Sequence, residues 1–68
     1  MINMELAILL VDTRRVTGTP YITINDRSFY VMLGHEAFKA VQEGDKKAED
    51  FQRFKIYDNV FYIVEVTL

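Results

Sequence analysis

The chain has no cysteine and no tryptophan, a single proline, a single histidine and three glycines in 68 residues. Without cysteine there is neither a disulfide nor a thiolate metal site, the devices that most often stabilise domains of this size. The glycines, at 18, 34 and 44, stand too far apart for a phosphate-cradling loop. Long hydrophobic runs are missing as well. The longest, Leu6–Val11, is six residues, well short of the roughly 20 that span a bilayer, and no basic stretch precedes it as in a secretory leader. The expectation is a cytoplasmic chain with no membrane partner and no cofactor. Charge of one sign is not in excess either. Ten acidic and eight basic residues leave a net charge of −2, too balanced for a mimic of DNA and too acidic for a protein held mainly by phosphate contacts.

What the chain has in abundance is apolar side chain, 50% of its residues. A domain this short buries only about 60% of the surface its unfolded chain exposes, so it has little interior in which to place that fraction. The surplus predicts apolar surface shared with a partner or with a second copy, a dimer being the simplest arrangement.

The run Glu5–Asp12, apolar with charge at both ends, predicts a strand covered on both faces, with its leucines leaving a helix as the alternative. Thr13 to Pro20 predicts a turn or an irregular extension. Two segments then repeat a pattern at a spacing of 32: Ile24 matches Ile56, Asp26 matches Asp58, Phe29 matches Phe61, Tyr30 matches Tyr62 and Val31 matches Ile63. Each reads as a β-hairpin, with turns placed at Asp26 and Arg27 and at Asp58 and Asn59. So few matches in a β-rich vocabulary favour coincidence over duplication. Between the hairpins, Ala37, Phe38, Val41, Ala48 and Phe51 form a stripe at helical spacing, interrupted at Gly44 and Asp45. It predicts helix from Glu36 to Glu43 and a weaker one from Lys46 to Phe51.

The fold expected is a single α+β domain over residues 1–68, an antiparallel sheet of about five strands in the order strand, hairpin, helix, hairpin, with one helical segment on one face. Alternation puts Ile22, Ile24, Phe29, Val31, Phe54, Ile56, Phe61 and Ile63 on the face that the helical stripe covers. The opposite face then carries Tyr21, Thr23, Tyr30, Met32, Lys55, Tyr57, Tyr62, Val64 and Val66, with no element left to cover it. Tyrosine gives large contact area at low entropic cost and tolerates a wet rim. Tyr21, Tyr30, Met32, Tyr57, Tyr62, Val64 and Val66 are therefore the candidate partner or oligomer surface.

No catalytic constellation is legible. His35 has no cysteine partner, and Ser28, the sole serine, lies within a hairpin. Asp45, Glu49 and Asp50 lack the spacing of a calcium loop and read as solvated helix charge. Arg14 and Arg15, flanked by Thr13 and Thr17, could grip an anion, with Lys55 as a further contact; an edge strand protected by charge is the simpler account.

Residues 8–34, with Thr13, Arg14, Arg15 and Val16, then Ile24 and Asp26, and finally Leu33 and Gly34, resemble the opening strands of the carbon storage regulator family of dimeric RNA-binding proteins. The resemblance covers under half the chain. It implies RNA contact through Arg14 and Arg15. Thr17 and Pro20 depart from the family pattern, and the C-terminal half has no matching basic strand.

The leading expectation is a non-enzymatic protein–protein interaction module. Such a chain would act as a homo-oligomer that inhibits or modulates a larger host protein, a role common among small accessory proteins of phages and mobile elements. RNA or DNA binding through Arg14 and Arg15 is the second reading, and sequestration of a small anionic ligand such as a nucleotide between subunits is the third.

Overall fold

The computed structural model describes residues 1–67. Helix α1 spans Met4–Thr17, strands β1 and β2 span Tyr21–Ile24 and Arg27–Leu33, and helix α2 spans Gly34–Gln42. A turn of 3-10 helix at Ala48–Asp50 leads into β3, Gln52–Ile56, and β4, Asn59–Glu65. The protein is α+β, with a four-stranded antiparallel sheet in the order β1-β2-β4-β3.

The N-terminal run is thus a helix, and the fifth strand expected there does not form. Its ends carry the reasons. Asn3 caps the first turn, its side chain accepting the Leu6 N–H at 2.8 Å. Gly18 ends the helix in the left-handed conformation at φ 74°. Glu5 in the first turn and Arg14 and Arg15 in the last complement the helix dipole. Ala7, Leu10 and Val11 are fully buried, and adjacent residues 10 and 11 facing inward together fit a helix but not an alternating strand. The same finding removes the likeness to the carbon storage regulator family, because residues 8–17 are helical where that resemblance needs strand.

Helix α1 packs on the face carrying Ile22, Phe29, Val31, Ile56, Phe61 and Ile63, and with them makes the main core cluster. The helical stripe expected on that face lies on the other one. Helix α2 begins directly at the end of β2. A Cβ placed on Gly34 would stand 3.7 Å from the Tyr62 ring, on the opposite side of the sheet. Ala37 and Val64 are buried there, outside the main cluster. The sheet is therefore covered by α1 on one side and partly by α2 on the other. Helix α2 closes in a Schellman arrangement, Asp45 N–H donating to Ala40 C=O and Gly44 N–H to Val41 C=O, with Gly44 at φ 83°.

Both hairpins turn one residue earlier than expected. The turn residues are Asn25 and Asp26 in one and Tyr57 and Asp58 in the other, all four at positive φ between 50° and 65°, the backbone of a two-residue hairpin whose twist matches its strands. Ile24 consequently faces Arg27, and Ile56 faces Asn59. Phe29 pairs with Ile22 and Phe61 with Phe54, each two places from the expected partner. A slip of two leaves every side chain on its own face.

The matched hairpins are related by an approximate two-fold axis. The inner strands β2 and β4 pair with Val31 opposite Ile63. That pair is itself one of the matches at the spacing of 32, so it sits where such an axis crosses the sheet.

Candidate functional site

At the end of the sheet a charged network ties the layers together. Pro20 lies in line with β1, opposite Val31, where an antiparallel pair would exchange two backbone hydrogen bonds. Only one forms: Val31 N–H donates to Pro20 C=O at 2.9 Å, and proline has no N–H to return. The Arg14 guanidinium supplies the missing donor, bonding the Val31 carbonyl. It also forks onto Glu36 at 2.7 and 3.1 Å, while Glu36 accepts the Leu33 N–H at 2.8 Å. One side chain on α1 thereby closes an open backbone carbonyl of β2 and fixes the start of α2.

The fork from Arg14 holds the Glu36 carboxyl below its usual 4.5, partial burial opposes this, and the Leu33 N–H adds to the lowering. A carboxyl with a lower pKa in the folded chain contributes stability that is complete above its unfolded value and disappears as pH falls through the folded one. Stability is therefore expected to decline on acidification below about 4.5, and Glu36→Gln to remove part of that decline. Glu65, exposed beside Arg27, shifts in the same direction and forms a constant background in both proteins. Urea unfolding midpoints followed from neutral into acid solution check this; parallel pH profiles for the two proteins would contradict it.

Of the residues singled out for anion or nucleic-acid contact, Arg14 is thus engaged inward, its side chain 19% exposed. Arg15 lies over the Tyr57 ring, 4.9 Å from its centroid. Lys55 is exposed on β3. Arg27 forks onto Glu65, both bonds at 2.9 Å. The geometry assembles no basic stripe from these groups.

The tyrosine face is assembled, with one exception. Tyr21 and Tyr30 pair across β1 and β2 with ring centroids 5.0 Å apart. The Lys46 ammonium stands 4.5 Å above the Tyr30 ring. Met32 lies opposite Tyr62, and Val64 opposite Tyr30. Val66, just past β4, donates its N–H to Ser28 C=O at 2.8 Å. Tyr57 is the exception. It occupies the second hairpin turn, beside the C-terminal half of α1. There the Asp12 carboxylate, accepting from the phenol, holds it above its usual 10.

No protein-family model matches the chain, and no curated protein or solved structure is significantly similar to it.

The feature that sequence reasoning missed is a groove on the tyrosine face. Phe38, Val41, Ala48, Phe51 and Tyr62, with Gly34 and Ala37 at its end, line an open concavity of about 330 Å³. The Phe51 and Tyr62 rings meet edge to face at 6.2 Å, an arrangement that fixes both. Phe38 stands at the rim, 68% exposed. Its signal was the helical stripe itself. A strand at residues 5–12 would require that stripe on the main core; with helix α1 there, the stripe is released to the other face. Among the described residues no group of three or more histidine, aspartate or glutamate side chains is placed to hold a metal. No helix among them is long and apolar enough to cross a membrane.

Proposed function

We propose that this protein is a non-enzymatic protein–protein interaction module that self-associates and binds a larger protein through the face formed by Tyr30, Met32, Tyr62 and the groove beneath Phe38. The observation that carries this reading is the groove. It is apolar, rimmed by an exposed phenylalanine, and floored by two aromatic rings that hold each other in place. Rigid aromatic pockets are the usual seat of interface hot spots, because they desolvate a partner's side chain with little loss of conformational freedom. Its occupant would be an apolar side chain on an amphipathic segment, since the lining supplies no cluster of charge for an anionic ligand.

Phe38 is on the outer side of α2, so Phe38→Glu should leave the fold intact while weakening the partner about tenfold or more. The measurement compares wild type, Phe38→Glu and Lys55→Glu, on β3 outside the groove lining, in quantitative pull-downs, with binding to the recovered protein then titrated in purified form. A partner lost with Phe38→Glu and kept with Lys55→Glu supports the reading. Equal binding by all three proteins places the contact elsewhere.

A further inference from the structure

The outer side of α1 carries a set of exposed apolar side chains. Ile8 and Leu9 are exposed in mid-helix, Met4 in the first turn, and Val16 in the last at 86% exposure. A helix of a small domain ordinarily presents charge to water on that side. Here the charges are three, Glu5 and Arg15, exposed near the two ends, and Asp12, half-buried, with Thr13 half-buried and Thr17 exposed beside them.

We infer that α1 is the self-association surface, pairing antiparallel with α1 of a second copy about a two-fold axis near the level of Leu10. The inference deepens the self-association part of the function proposed above and is independent of the groove, which lies across the sheet. The distribution of charge selects both the occupant and the direction. A two-fold interface must be complementary to itself. Placed antiparallel, Glu5 of each copy lies level with Arg15 of the other and Met4 with Val16, while Ile8 comes level with Asp12, whose carboxylate is already engaged by the Tyr57 phenol. Placed parallel, Glu5 would meet Glu5 and Arg15 would meet Arg15. Glu5 and Arg15 are ten residues apart, about 15 Å along a helix, so in this direction opposite charges come level at both ends of the segment that holds Ile8 and Leu9. Opposed helix dipoles favour the same direction. Arg15 is already oriented by the Tyr57 ring beneath it, which lowers the entropy lost in forming the pair.

The test uses the absence of cysteine in the chain. Sedimentation of the wild-type protein at high micromolar concentration should give a dimer. Leu9→Glu with Val16→Glu should raise its Kd about a hundredfold or more, because each interface would then bury unpaired carboxylates. A mixture of Glu5→Cys and Arg15→Cys chains should oxidise to a mixed disulfide, with neither protein cross-linking efficiently alone. A wild-type monomer overturns the inference, as does a dimer indifferent to Leu9→Glu with Val16→Glu, or efficient cross-linking by Glu5→Cys alone, which indicates the parallel arrangement. Each of these outcomes leaves the groove reading standing, since that reading fails only if Phe38→Glu still binds.

Discussion

Leu10→Ala is expected to cost about 2–5 kcal/mol, while Leu9→Ala, one residue away, stays within about 0.5 kcal/mol of wild type when measured at dilution where the chain is monomeric. Leu10 is wholly enclosed between α1 and the sheet, and Leu9 is 49% exposed. Truncating Leu10 removes the transfer energy of its methyl groups and leaves a cavity that Phe29, Val31 and Ile63, themselves fully buried, cannot easily fill. A domain of this length has a total stability of only several kcal/mol, so Leu10→Ala should be largely unfolded at moderate temperature. Denaturant titration of the two variants separates the helix from the strand alternative. In a strand covered on both faces, residues 9 and 10 would be equally costly to truncate.

Arg14→Ala is expected to lose about 2–3 kcal/mol, less than for a fully enclosed ion pair because both side chains retain some solvent. The loss has two parts, a carboxylate left without its partner and a Val31 carbonyl left without a donor. The second part is particular to this fold and can be separated. In a Pro20→Ala background, residue 20 regains an N–H that can bond Val31, so Arg14→Ala should cost about 1 kcal/mol less there than in the wild type. A double-mutant cycle by urea unfolding reads this coupling directly. Strict additivity would mean that Arg14 acts only as a counterion to Glu36.

The assignment of sheet residues to faces was legible in the sequence, and it survived an error in the turns. The expected turns included Arg27 and Asn59, yet the residues at positive φ are Asn25 with Asp26 and Tyr57 with Asp58. Asparagine and aspartate tolerate that conformation and arginine does not, so the first turn could have been placed from local chemistry. The second could not. A tyrosine in the left-handed region goes against its preference, and what holds it there, Asp12 and Arg15 on α1, is visible only once that helix is docked. Helix α1 itself was hidden by its outward residues. With Ile8, Leu9 and Val16 apolar on the solvent side, the helical period was erased, although Asn3, Glu5, Arg15 and Gly18 marked both ends. From that one assignment followed the exchange of faces: α2 was assigned to the main core, and the groove between Phe38 and Tyr62 stayed out of sight.

The division of the two sheet faces between the two helices can be measured by methyl and aromatic nuclear Overhauser contacts in the folded protein. The Leu10 and Val11 methyls should give cross-peaks into the cluster of Phe29, Val31 and Ile63, and the Phe51 ring should give them to Tyr62. Cross-peaks from Phe51 or Phe38 to Phe29, with Leu10 instead near Tyr62, would show the helices on exchanged faces and remove the basis for both the groove and the α1 interface.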